Sequence, residues 1–366
     1  MHQTCLRLQD FFLQNVDDIP GTPVYPEGMT TLPHGAEPQA LPFVVSAGAP
    51  RPAPEAPRTP LHLTPEQTLF YDAHGYLVLR NFVDAAQVER LRAASLTWMA
   101  EGQRLGPEGA GSDYNFAVRK LGEVLYRVNY LHAKTPQGPN ASLELLGRPE
   151  VLAVAESLCG PNFVPTYESL VFKGEGDGEQ IPWHQDAVHP RNWRIFNLGL
   201  YLDASWIGAG ALRVVPGSQR QILDVCTIRE HYGWDAPGVQ QIELEPGDAL
   251  LHDVMVLHGS EATAGNALRR TLYFEFRAAE QVQVEGPWDQ GWLERRMRLV
   301  PLAQDARKQA DPDAPTFDWR PDDTLRPERL ENAEAELKVA HGVHTSGMWC
   351  SAGDAVQFGS ADRKQG

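Results

Sequence analysis

Between residues 163 and 278 the chain is a series of short apolar runs cut apart by Gly- and Pro-containing turns, and this texture limits the fold more than any other feature. The runs fall at 163–173, 195–203, 211–215, 240–244, 249–251 and 269–277. Each has the length of a strand, and no long helical pattern separates one from the next. Such spacing argues against parallel βαβ units and for a sandwich or barrel. The last run, Arg269-Arg-Thr-Leu-Tyr-Phe-Glu-Phe276, shows the expected alternation. It puts Leu272, Phe274 and Phe276 on one face and Arg269, Thr271 and Tyr273 on the other.

Helices are expected ahead of this region. Thr64-Pro-Glu-Gln67 combines an N-cap residue, a proline at the first helical position and a glutamine at the third, so a helix starts there and stops near Gly75. Residues 76–79 then read as a short buried strand. Asp84-Ala-Ala-Gln87 repeats the capping pattern, with Val83 and Val88 as a hydrophobic staple, and predicts a helix to about Glu101. A further helix over 151–158 is closed by Gly160-Pro161. Residues 1–62, rich in Pro and Ala, read as an arm or linker. One domain is expected over 63–280, and 281–366 as a C-terminal extension packing on the core or trailing from it, with a helix at 330–339.

One H-x-D triplet occurs, His184-Gln-Asp186, directly after Trp183. Chance supplies roughly one such triplet in a chain of this composition, so the weight lies in what surrounds it. In extended chain, positions i and i+2 share a face, so the imidazole and carboxylate can converge on one ion. A second histidine from a neighbouring strand completes a set of two His and one carboxylate that leaves metal positions open for oxygen chemistry on Fe(II). His258, followed by Gly259 and Ser260, is the candidate, and Arg269 comes eleven residues later. On the polar face of its strand, Arg269 suits a bidentate pair with a dicarboxylate, and Ser260 can donate to the same group. Arg270 falls on the apolar face. His252 competes with His258 but lacks the Gly-Ser that follows it, and reads as structural. His189, His341 and His344 read as ordinary polar residues.

The five features together resemble the phytanoyl-CoA dioxygenase family of Fe(II)/2-oxoglutarate oxygenases. Residues 63–82, with Phe70-Tyr71 and Gly75-Tyr-Leu-Val-Leu-Arg-Asn-Phe82, resemble its opening helix and strand. Trp183-His-Gln-Asp186 matches its first metal motif. Gly210-Ala-Leu212 with Val215-Pro-Gly-Ser218 resembles its central turn, and Pro246-Gly-Asp248, His258-Gly-Ser260 and Arg269 its distal part. The resemblance implies a mainly β fold, a double-stranded β-helix (jelly-roll, cupin-like) core flanked by helices. It implies Fe(II) held by His184, Asp186 and His258, and 2-oxoglutarate held by Arg269 and Ser260, with Lys173 also touching the co-substrate. It further implies consumption of O2 and release of succinate and CO2. Asp186 stands where related halogenating enzymes carry a small residue, so hydroxylation of a small molecule, such as a natural product or other secondary metabolite, is expected. Arg127 and Trp193 are candidates for substrate contacts.

Charge bears on partners. A net charge of -16 repels phosphate backbones, so nucleic acid is not an expected partner, and a CoA ester is disfavoured. Cys5, Cys159, Cys226 and Cys350 form no C-x-x-C pair. With no apparent signal peptide and no apolar run of about 18 residues, a reducing, cytoplasmic setting without a membrane span is expected. The sequence says nothing of oligomeric state. Two other readings remain: a non-catalytic metal-binding jelly-roll acting as sensor or scaffold, and a Zn(II) hydrolase or isomerase.

Overall fold

The computed structural model describes residues 61–119, 122–134, 140–173, 179–186, 192–263, 268–286 and 288–328, and Leu337. Chain contacts divide the protein into Met1–Pro50 and Arg51–Gly366. The first unit, nearly all of the expected arm, and the expected helix at 330–339 apart from Leu337 lie outside the described residues.

The strands are β1 (Tyr76–Leu79), β2 (Tyr114–Arg119), β3 (Gly122–Asn129), β4 (Phe163–Lys173), β5 (Ile181–His184), β6 (Phe196–Tyr201), β7 (Leu212–Val215), β8 (Gln240–Ile242), β9 (Ala249–Asp253), β10 (Leu257–Ser260) and β11 (Arg269–Ala278). The helices are α1 (Pro65–His74), α2 (Ala85–Gly109), α3 (Ala141–Leu146), α4 (Pro149–Cys159), α5 (Val225–Tyr232), α6 (Ala279–Glu285), α7 (Gln290–Met297) and α8 (Leu299–Ala310). The strands form two antiparallel sheets, a large one in the order β1-β9-β6-β11-β4-β3-β2 and a small one in the order β5-β10-β7-β8. This is a jelly-roll core with flanking helices.

Local chemistry explains the opening elements. The Thr64 hydroxyl accepts from the Gln67 amide, and the Gln67 side chain accepts from the Thr64 amide at 2.9 Å, a reciprocal cap on α1. Gly75 ends the helix at φ 76°, a conformation that side chains disfavour. Asp84 caps α2 by accepting from the Gln87 amide at 2.7 Å. That helix overruns the expected stop at Glu101, because nothing interrupts it until Gly106 turns to φ 66° ahead of Pro107.

The Pro246-Gly-Asp248 turn proves to be an anchor. Asp248 accepts from Arg80 Nη1 at 2.8 Å, from the Asn81 amide at 2.8 Å and from the Glu245 amide at 2.9 Å. It therefore ties the loop after β1 to the start of β9. Ser218 of Val215-Pro-Gly-Ser218 acts likewise, accepting from the Leu257 amide at 2.7 Å, one residue before His258.

The alternation expected in β11 is present. Leu272, Phe274 and Phe276 pair with Leu200, Leu198 and Phe196 of β6, and all six are buried. Two stretches differ from expectation. Residues 114–119 and 122–129 pair antiparallel and extend the large sheet at its edge. Residues 279–310, most of them in the stretch expected as an extension packing on the core or trailing from it, contribute three helices, and Val282, Trp292, Leu293 and Met297 cluster there with Val164 of β4. Their apolar positions are too few per turn to stand out until Val164 supplies the opposing surface. No helix among the described residues is long and apolar enough to cross a membrane.

Candidate functional site

His184 closes β5 and His258 lies on β10, and the antiparallel register sets the two directly opposite each other. Their ring centroids are 4.0 Å apart. Each ring is fixed in the same way: Nδ1 donates at 2.8 Å to the carbonyl two residues upstream, Pro182 in one case and Val256 in the other. A carbonyl can only accept, so both protons sit on Nδ1 and both Nε2 atoms are unprotonated. Those nitrogens face Asp186, His184 Nε2 at 3.5 Å from Oδ1 and His258 Nε2 at 3.6 Å from Oδ2. The ligand atoms of His184, Asp186 and His258 all lie within 4.8 Å of one another.

The residue inside the triplet also works. Gln185 is fully buried, donates to Gln221 and Met255 carbonyls at 2.9 and 2.6 Å, and accepts from the Leu223 amide at 3.0 Å. With the Asp186 amide donating to the Val254 carbonyl at 2.7 Å, this holds the turn that carries Asp186.

Protonation favours metal binding. Burial would raise the Asp186 carboxyl, but the polar groups gathered around it outweigh burial and hold it well below the usual range. His258 is pushed down to about 3, by burial first and His184 second, against the pull of Asp186. A neutral imidazole beside an ionised carboxylate is the state that a divalent cation requires.

A second group of buried polar side chains comes from β4 and β11 of the large sheet and from β10. Arg269 and Lys173 are cross-strand partners on β11 and β4, both buried. Like charges opposite each other are unfavourable, and a buried cation needs an anion. Yet among the described residues no carboxylate pairs with Arg269: it donates to the Gly210 carbonyl, and its Nε has no partner. The Ser260 hydroxyl is fully buried and likewise unpartnered. These orphaned donors fit a carboxylate. Lys173 donates from its ammonium to the Glu261 carbonyl, 2.5 Å away. Arg270, facing the other way, is taken up by Asp203 at 2.8 Å.

Sequence reasoning missed three neighbours. Asn197 donates to Asp186, and His252, read as structural, stands 3.8 Å from the same carboxylate. Tyr273 packs its ring edge-on against His252, where Gly199 opposite makes room for it. A Cβ at residue 199 would fall 2.6 Å from Tyr273 Cε1. Gly199→Ala is therefore expected to lower stability by about 1–3 kcal/mol, read as a lower urea midpoint with unchanged slope. Of the two candidate substrate contacts, Arg127 is half-buried with its guanidinium 5.8 Å above the Tyr167 ring and interacts electrostatically with Asp186, while Trp193 is half-buried ahead of β6.

Known proteins bear on this arrangement. Phytanoyl-CoA dioxygenase 1 of Oryza sativa subsp. japonica is 24% identical over 283 residues, covering 66% of this chain and 97% of that protein. Ectoine dioxygenase of Nocardia farcinica (strain IFM 10152) is 22% identical over 256 residues, covering 60% and 80%. The crystal structure of AviO1 from Streptomyces viridochromogenes Tue57 aligns with a TM-score of 0.49 and 27% identity, covering 59% of this chain and 95% of that one. The family pattern described as phytanoyl-CoA dioxygenase (PhyH) matches residues 71–271, a span running from α1 through both histidines to Arg269 and Thr271. The chain belongs to the phytanoyl-CoA dioxygenase family.

Proposed function

We propose that this chain is an Fe(II)- and 2-oxoglutarate-dependent dioxygenase that hydroxylates a small molecule, with His184, Asp186 and His258 as metal ligands. One observation carries the reading. Two unprotonated Nε2 atoms and a carboxylate converge at one place, and a buried serine on the strand of His258 and a buried arginine on the large sheet keep unpartnered donors. A scaffold that only bound metal has no use for the second group. When bound, Fe(II) supplies oxygen activation coupled to decarboxylation of 2-oxoglutarate, so that substrate C–H, 2-oxoglutarate and O2 become C–OH, succinate and CO2.

The protein's part is to orient and neutralise. Arg269 and Ser260 receive the far carboxylate of the co-substrate, with Lys173 adding positive charge at the same end. His184 and His258 are kept in one tautomer by the carbonyls of Pro182 and Val256. Asp186 fills the ligand position that halogenating relatives leave open, which supports hydroxylation.

Anaerobic titration with Fe(II) and 2-oxoglutarate tests the reading. The expected result is a weak visible metal-to-ligand charge-transfer band, followed by succinate release on admission of O2. Iron binding without the band would overturn the co-substrate assignment. Arg269→Ala is expected to raise the 2-oxoglutarate concentration needed for half-saturation by about 100-fold, as loss of a buried charged hydrogen bond costs about 2–3 kcal/mol. Iron affinity without co-substrate should not change.

A further inference from the structure

We propose that Asn197 and His252 form a positioning pair that fixes the rotation of the Asp186 carboxylate; the inference rests on the oxygenase reading above. The two residues face each other across β6 and β9. Both are buried, Asn197 at 9% and His252 at 2% exposure. The Asn197 amide nitrogen lies 3.1 Å from Asp186 Oδ2 and 3.2 Å from His252 Nε2. An amide NH2 carries two hydrogens, and here each has one acceptor.

The direction of the chain of hydrogen bonds follows from charge. Turning the amide over would press its carbonyl oxygen against an ionised carboxylate, so the nitrogen must face Asp186. His252 Nε2 then accepts, which puts its ring proton on Nδ1, a buried atom without a hydrogen-bond partner among the described residues. Direct contact between His252 and Asp186 is longer, at 3.8 Å, so the amide is the link. The imidazole is itself clamped. Tyr273 meets it edge-on with centroids 5.9 Å apart, the His258 ring lies at 4.8 Å, and its backbone pairs with Tyr76 of β1. Asp186 sits past the end of β5 on a turn, whereas the two histidine ligands belong to strands. It is thus the ligand with most need of a side-chain restraint, and the large sheet supplies one.

Outer partners of metal-bound carboxylates tune affinity by about 10–100-fold. Fe(II) affinity is measured by anaerobic titration of the full chain, and the charge-transfer band is recorded with 2-oxoglutarate present. Asn197→Ala is expected to weaken Fe(II) binding within that range and to shift the band. His252→Leu is expected to weaken it about tenfold, while His252→Gln, whose side-chain carbonyl can still accept from Asn197, restores most of the loss. Circular dichroism melting of each variant separates loss of fold from loss of the restraint. Wild-type affinity and an unmoved band in folded Asn197→Ala and His252→Leu would overturn the inference alone. So would a His252→Gln variant as impaired as His252→Leu. Wild-type protein that bound no Fe(II) would overturn the oxygenase reading and this inference together.

Discussion

His258→Ala is expected to abolish Fe(II)-dependent succinate release, with Fe(II) binding weakened beyond the about 100-fold that the loss of an outer partner costs. The imidazole stands opposite His184 across a strand pair, its proton turned away onto the Val256 carbonyl. Its removal leaves one histidine and one carboxylate, too few to hold a labile divalent ion. His252 does not substitute, because the amide of Asn197 stands between it and the carboxylate. The fold should survive, since the site is cross-linked by the Ser218 bond to Leu257 and by the Gln185 anchors. Isothermal titration with Fe(II), beside a melting curve, checks both halves. A variant that melted as wild type and still released succinate would remove His258 from the metal.

Glu168→Ala is expected to be the most destabilising single change away from the metal site. Glu168 of β4 lies 2% exposed between two buried partners, His132 on one oxygen and Arg296 of α7 on the other. Arg296 also donates to the Pro165 and Leu337 carbonyls at 2.9 and 3.1 Å. Taking away the carboxylate leaves a buried guanidinium without its counter-charge, which costs about 3–5 kcal/mol. A fall in Tm of roughly 10 °C follows for a domain of this size.

The same group sets an acid limit. Burial pushes its carboxyl up, but Arg296 and then His132 outweigh burial and bring it from 4.5 to about 2. A depressed carboxyl stabilises the fold above its unfolded value and loses that contribution as pH falls. The loss, about 3 kcal/mol, should therefore appear between pH 4.5 and 2. Denaturant midpoints across that window, in wild type and Glu168→Gln, measure it. Fe(II) affinity at neutral pH should be the same in both.

How much of this was legible depends on the range of the interaction. Thr64 and Asp84 announced their helices because a cap is closed by residues three positions away. β1, β4 and β11 announced themselves through continuous or alternating apolar runs. The triad was legible because two of its members are neighbours in sequence and the third lies at a recognisable distance from an arginine. Asn197 was not, for it is an ordinary asparagine until β6 is laid beside β9 and set opposite His252. The strands at 114–119 and 122–129 escaped notice because Asn115, Glu123 and Arg127 interrupt their apolar residues without a regular period. The C-terminal helices escaped because their apolar residues find their meaning only against β4.

The strand pairing of His184 with His258 has a mechanical side. The two lie 74 positions apart in the chain, so an ion gripped between them ties distant points together as a disulfide would. The unfolded chain loses freedom when it keeps the ion, and the folded chain gains the binding free energy when it holds it. The small sheet, only four strands wide, would gain most from such a rivet. Resistance to proteolysis between β5 and β10 would then rise and fall with iron supply.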